Sequence, residues 1–355
     1  MATLYIASTD IASGKTALCV GLGKRLQSDG FSVGYLKPIS LSARRLEGSV
    51  VDEDAQFLKK ELKLEEPVSD LVPIPLDPRA VESIMRKQKW LDYPKRLMEV
   101  YTRVAKGKDV MLIEGVDRLS AGGLVGLPAN EVCKLLQAKS LTVIRYAGLL
   151  SLDPVLFYRG VLGEAMIGAV MNGVPRRLME SAEEIAKPYL QKEGILVQGI
   201  LPEERFLMSV SVGELATALG AEIVTRADKS DDLVENLMVG AMTGDVALSY
   251  FRQKPHKAVI TGGDRSDIQL AALQTSTKCL ILTGNLYPQD MIKGVAQEMG
   301  VPIVVSRYDT LTTIEIVEGF FGKSRFQQDK KTQCFQELLE EHFDFTSLYV
   351  TLGLT

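Results

Sequence analysis

Four cysteines in 355 residues, Cys19, Cys133, Cys279 and Cys334, lie far apart and show no CxxC pairing. That scarcity excludes a disulfide framework and leaves buried or incidental free thiols. Two histidines, His256 and His342, are too few to suggest a zinc site. No apolar run approaches the roughly 20 residues that span a bilayer; Arg145, Asp153 and Arg159 interrupt the most apolar region. No membrane partner is expected. An excess of positive charge is also missing. With a net charge of -4 and no cluster of Lys and Arg, the chain lacks the surface that nucleic acid requires. Its one dense charge run, Asp329-Lys330-Lys331, is short and reads as a solvated face. The N-terminus opens on a strand-like run with no basic-then-apolar leader, so a cytoplasmic location is expected.

What is present is the balance of a globular protein, 46% hydrophobic and 24% charged. The length suits two domains better than one core. Short apolar runs at 3–8, 32–37, 109–114, 141–146, 165–172 and 195–201 alternate with helical patterns near 15–28, 52–64, 92–106, 129–138, 152–162 and 176–192. Several of these runs are apolar almost throughout, as strands covered on both faces should be. In the first helix Leu18, Leu22 and Leu26 recur every four residues and make one buried stripe. Alternation of this kind implies an α/β fold, a parallel sheet with helices on both faces. The stretch 65–90, with Pro67, Pro73, Pro75 and Pro78, reads as an irregular excursion.

After Pro202 the alternation resumes. Helical patterns near 211–219 and 231–240 precede strands at 257–261, 279–283 and 302–305, with helices near 266–274, 288–299 and 310–320 between and after them. This predicts a smaller α/β domain. A terminal helix is expected over 330–345, with Phe335, Leu338, Leu339 and His342 on one side. The expected domains are therefore 1–205 and 206–325, with a helical tail at 326–355.

The most informative segment is Leu4-Tyr5-Ile6-Ala7-Ser8-Thr9-Asp10-Ile11-Ala12-Ser13-Gly14-Lys15-Thr16, an apolar strand, a loop and the start of an amphipathic helix. Amides at a helix start have no internal partner and can cradle phosphate oxygens. Gly14 lets the backbone approach, Lys15 can reach the terminal phosphates and the Thr16 hydroxyl can ligate magnesium. This is a P-loop, with Thr9 where GxxxxGK[ST] carries its first Gly. Glu114 ends another strand, Met111-Leu112-Ile113-Glu114, at the sheet edge where ligands collect. A carboxylate there suits magnesium, or is a plain strand-end acid. Lys37, in Gly34-Tyr35-Leu36-Lys37-Pro38, can neutralise a phosphate, hold an anionic substrate or simply be solvated.

In the second domain Gly262-Gly263-Asp264-Arg265 follows a strand and precedes a helix. Paired glycines, helix-start amides and an arginine compose a candidate second site for a small anion. A turn with Asp264 or Ser266 as helix cap explains the same residues without a ligand.

These motifs resemble dethiobiotin synthetase. Ser8-Thr9-Asp10 followed by Gly14-Lys15-Thr16 is similar to that family's Gly-Thr-Asp loop, for which Thr at position 9 is normal. The resemblance implies that Thr9, Asp10, Ser13, Gly14, Lys15 and Thr16 hold ATP, and that Lys37 contacts substrate and phosphate. It also implies that Asn172, in Val170-Met171-Asn172, reads adenine, with Pro202 of Ile200-Leu201-Pro202 near the base. Mg2+ would be held by Thr16, Glu114 and Asp54, with Asp52 a close competitor for the last place. One departure counts against biotin-precursor synthesis: Ile39-Ser40-Leu41-Ser42-Ala43 follows Pro38 without the synthetase's Gly-bearing turn.

A composite family resembles the whole chain more closely, the N-terminal regulatory region of long-form phosphate acetyltransferases. There a dethiobiotin-synthetase-like domain precedes a DRTGG domain. Val212-Gly213-Glu214-Leu215, Ile260-Thr261-Gly262-Gly263-Asp264-Arg265-Ser266-Asp267-Ile268 and Tyr308-Asp309-Thr310-Leu311-Thr312-Thr313 carry that match. The chain ends at Thr355, which leaves the acetyl-transfer domain no room, so a free-standing form is expected. The resemblance implies an ATP- and Mg-binding regulatory or sensor protein whose second domain binds a small anionic metabolite. An ATP-dependent ligase or ATPase related to dethiobiotin synthetase is the alternative, with Lys15 and Lys37 as its catalytic cations. By analogy with relatives, a homodimer is expected, as is association with a separate acetate-metabolism enzyme.

Overall fold

The computed structural model describes residues 1–46, 49–86, 91–320, 326 and 328–354. The end of the Pro-rich stretch at 87–90, the end of the expected second domain at 321–325, and Thr355 lie outside the described residues. Two compact units form, one from residues 1–203 with 326–355 and one from 204–325.

In the first unit the apolar runs become strands β1 (Ala2–Ser8), β2 (Val33–Leu36), β3 (Val110–Glu114), β4 (Lys139–Arg145), β5 (Met166–Val174) and β6 (Val197–Pro202). They pair in parallel in the order β6-β5-β4-β1-β3-β2. All of β2 and β3 is buried, which is why those runs carry no polar alternation. The order reverses beside β1, since α1 (Lys15–Ser28) leads across β3 to β2 while β4 lies on the other side. A crevice opens at such a reversal, at the carboxyl ends of the strands. Ile6 pairs with Glu114 and Ser8 with Val143, so the loop after β1 and the acid ending β3 share that edge.

The Pro-rich stretch is more ordered than its composition suggests. It holds helix Val68–Leu71, a two-residue strand Ile74–Pro75 paired with Ile39–Ser40, and helix Pro78–Met85. Prolines stand at the cap or first turn of both helices, where a missing N–H costs nothing. Residues 326–355 return to this unit as α-helices Asp329–His342 and Phe345–Leu352. The first packs against α1 and β6, Phe326 meets Phe57 and Phe335 edge-on, and Asp344 N–H donates to the Gln198 carbonyl on the outer edge of β6 at 2.7 Å.

The second unit is built on a five-stranded sheet of β7 (Glu222–Thr225), β8 (Asn236–Val239), β9 (Lys257–Gly262), β10 (Thr277–Thr283) and β11 (Ile303–Val305). Their order is β7-β11-β10-β9-β8, parallel except for β7. Residues 231–240, expected as a helix, are instead Leu233–Val234 and β8. The apolar spacing there suits either state, and pairing with β9 from Asn236↔Lys257 to Val239↔Ile260 decides for strand. Among the described residues no helix is long and apolar enough to cross a membrane.

Candidate nucleotide site

The loop after β1 is built around Gly14, whose φ of +101° is open to glycine and strained for any L side chain. Helix α1 begins at the next residue. Among the described residues no backbone carbonyl takes up the amides of Gly14, Lys15, Thr16 or Ala17, so four donors remain at the helix start. The Lys15 side chain is buried and crosses back over the loop, with Nζ 2.9 Å from Ser8 Oγ and 2.8 Å from Asp117 Oδ1. Thr9 N–H donates to the Val143 carbonyl, and Asp10 Oδ1 accepts from Ile11 N–H. Ser13 is 2% exposed, and its Oγ has no hydrogen-bond partner among the described residues.

Thr16 Oγ1 donates to Glu114 Oε1 at 2.7 Å, and Tyr35 OH donates to the other oxygen at 2.6 Å. Burial raises the Glu114 carboxyl; Lys37 and the two hydroxyl donors oppose the rise without cancelling it. Lys37 Nζ lies 3.2 Å from Asp52 and 2.9 Å from Asp54. Burial alone would lower this ammonium, but Glu114, Asp54 and Asp52 outweigh it and hold the pKa above its ordinary value.

The two aspartates differ in what they do. Asp52 is buried, caps the helix Glu53–Glu61 by accepting from Ala55 N–H, and also accepts from Ser40 Oγ. Burial works against its charge, yet Lys37, Ser40 and the Ala55 amide keep its pKa below the usual value. Asp54 is 35% exposed and turns its carboxylate to Lys37. The donor set of Thr16, Glu114 and Asp54 is all oxygen, which fits Mg2+, an ion that keeps waters and shares phosphate oxygens. Among the described residues no group of three or more His, Cys, Asp or Glu forms a ready metal cage. An incoming ion would take Glu114 from Thr16 and Asp54 from Lys37.

Asn172, near the end of β5, turns its amide to the loop: Nδ2 donates to the Ser13 carbonyl at 2.8 Å. Pro202 ends β6 at the same sheet edge, three places from β1. Sequence reasoning missed Asp117, Tyr35, Ser8 and Ser40 as partners. Tyr35 and Lys37 stand two apart on β2 and its extension, so strand alternation could have linked them. Nothing in the sequence marks Asp117.

In the second unit, internal contacts occupy the Gly-Gly-Asp-Arg turn. A Cβ on Gly263 would lie 2.1 Å from the Leu286 carbonyl oxygen, so close packing alone requires glycine. The Arg265 guanidinium donates twice to Asp267, at 3.0 Å each, and to the Met242 carbonyl at 2.8 Å. Gln269 Nε2 donates to the carbonyls of Gly262 and Gly263. An anion here would compete with Asp267 for Arg265.

A parallel sheet with a strand-loop-helix turn of P-loop form at its order reversal defines the first unit as a P-loop NTPase-type α/β domain. The chain belongs to the AAA domain family whose model matches residues 2–211, and residues 214–320 match the DRTGG domain. Phosphate acetyltransferase of Nitratidesulfovibrio vulgaris is 26% identical over 372 residues, covering 97% of this chain and 51% of the relative. ATP-dependent dethiobiotin synthetase of Caldicellulosiruptor saccharolyticus is 26% identical over 132 residues, 37% of this chain and 52% of the synthetase. The chain thus spans about half the length of the curated phosphate acetyltransferases it matches. Its domain pair is that of the N-terminal region of long-form phosphate acetyltransferase. Among solved structures, the CBS and DRTGG domains of Clostridium perfringens pyrophosphatase, complexed with the activator diadenosine tetraphosphate, are 15% identical with a TM-score of 0.29, over 39% of this chain and 70% of that one.

Proposed function

We propose that the first unit binds ATP with Mg2+ and that the chain acts as a regulatory or sensor protein. The observation that carries this is the buried Lys15 ammonium, held on Ser8 and Asp117 beside four helix-start amides that no backbone carbonyl takes up among the described residues. An ammonium and a row of amides converging on one crevice suit the terminal phosphates of a nucleotide. Thr9, Asp10, Ser13, Gly14, Lys15 and Thr16 line the phosphate path in this reading, with Pro202 and Asn172 toward the base. Thr16, Glu114 and Asp54 would hold the metal, which would supply positive charge to offset that of the phosphates. Calorimetric titration with ATP and Mg2+ tests the reading. Lys15→Ala should weaken binding at least about tenfold, the value of one charge-assisted contact. Equal affinity in both proteins removes the proposal.

Residues 1–205 are the nucleotide domain in this scheme, 206–325 the DRTGG-like domain and 326–355 a helical tail. The second domain is proposed to take a small anionic metabolite at Gly262, Gly263, Asp264 and Arg265, with Arg265 exchanging Asp267 for the ligand. A cytoplasmic homodimer that associates with a separate acetate-metabolism enzyme completes the proposal.

The Lys37 cluster favours a second reading, an ATPase or an ATP-dependent ligase. Lys37 stands beside Glu114, Asp54 and Asp52 at the same edge as Lys15. Two cations there would stabilise charge on a transferring phosphoryl group. Phosphate release from ATP above background distinguishes this reading from a binding module.

A further inference from the structure

We propose that Asn172 is a positioning residue for the phosphate loop in place of a reader of the base, an assignment that rests on the nucleotide reading above. Its side-chain Nδ2 donates to the Ser13 carbonyl at 2.8 Å. A trans peptide holds its C=O and N–H antiparallel in one plane. Fixing the Ser13 carbonyl toward Asn172 therefore points the Gly14 N–H the opposite way. The bond decides on which side of the loop that donor is offered.

Gly14 is fitted to this arrangement. Its φ is +101°, and a Cβ there would lie 2.3 Å from Asn172 Nδ2. The amide nitrogen fills the space that a side chain at position 14 would need. Asn172 is itself held from the backbone: Arg145 pairs with it in register on β4, and its carbonyl accepts from Tyr146 N–H at 3.1 Å. The loop is thus tied to two neighbouring strands, through Asn172 on β5 and through Thr9 N–H to Val143 on β4. Ser13 contributes no second tether from its hydroxyl, which is buried without a partner among the described residues. Without the Asn172 bond the 13–14 peptide is free to rotate, because a glycine follows it.

The test compares ATP with ITP, which differ at the base position an adenine-reading Asn would contact and share the same triphosphate. Competition of each against a fluorescent ATP analogue gives the two affinities for the full chain. Asn172→Ala should weaken ATP and ITP by the same factor, roughly tenfold for one lost hydrogen bond in a buried loop. The ATP-to-ITP ratio stays that of the unsubstituted protein. Asn172→Asp should be weaker still toward both, since a carboxylate facing the Ser13 carbonyl repels it. Gly14→Ala, which displaces the amide from the other side, should reproduce the equal loss. A fall in ATP affinity with ITP unchanged overturns the proposal and makes Asn172 a base reader only. Unchanged affinity for both in folded Asn172→Ala, checked by circular dichroism, also overturns it. If the unsubstituted chain binds neither nucleotide at millimolar concentration, the nucleotide reading itself fails and takes this proposal with it.

Discussion

Lys257 begins β9 with a side chain fully buried and no carboxylate paired with it among the described residues. Its Nζ donates to Thr275 Oγ1 at 2.8 Å and to the Ser276 carbonyl at 3.1 Å. Burial pulls its pKa from 10.5 down to about 8. At about 1.4 kcal/mol per pH unit, that difference corresponds to roughly 3 kcal/mol against the folded state while the amine is charged. Lys257→Met removes the charge and keeps the stem. It also forfeits two hydrogen bonds, which brings the expected gain near neutral pH to about 2 kcal/mol. The sign of the pH dependence follows from the depressed folded value. Below pH 8 both states hold the proton and the penalty is complete. Between about 8 and 10.5 the folded state releases its proton first, so the penalty fades as pH rises. Urea unfolding, read by pulsed hydrogen exchange on the 257–262 peptide, should show Lys257→Met more stable at pH 7 and the two proteins converging toward pH 10. A constant difference across that range, or a less stable variant at pH 7, refutes the account.

Gln198, on β6, is 1% exposed, and neither amide atom has a hydrogen-bond partner among the described residues. Gln198→Met should raise stability by about 1–3 kcal/mol, seen as a higher melting temperature, because the desolvated amide is replaced by an apolar chain of similar length. Lys37→Met leaves three carboxylates without their cation and should lower stability by about 3–5 kcal/mol at neutral pH. Asp52 has a folded pKa below its ordinary value, so its share is present above the unfolded value and disappears as pH falls; the melting difference should narrow in acid. Glu114→Gln keeps the hydroxyl partners and removes the charge. The increase in ATP affinity on adding Mg2+ should shrink in that variant, and an undiminished increase counts against Glu114 as a ligand.

The first unit was legible because its strands are covered on both faces. Runs such as Val110–Glu114 are buried at every position, so pattern and structure coincide. The region 231–240 was misread because Leu233, Val234, Leu237 and Met238 fit either period, and only pairing with β9 chooses between them. Within the candidate site, local motifs marked Gly14, Lys15 and Thr16, where geometry follows directly from the chain. They did not mark Asp117, whose meeting with Lys15 spans 102 residues. Asp52 and Asp54 could not be separated by spacing; Asp52 caps its helix through the local Ala55 amide, while the contacts with Ser40 and Lys37 that bury it are tertiary. The paired glycines of the second unit looked like a ligand turn, while contact with Leu286 supplies a packing reason for one of them.

The return of residues 326–355 to the first unit has a consequence during synthesis on the ribosome. Residues 204–325 are contiguous and emerge as a complete unit. The first unit, although translated earlier, still lacks the helix Asp329–His342 that lies on α1 and the segment that borders β6. Closure therefore runs against the order of translation. During that interval the seat of Phe335 and Leu339 is uncovered, and apolar surface of that kind is prone to aggregation.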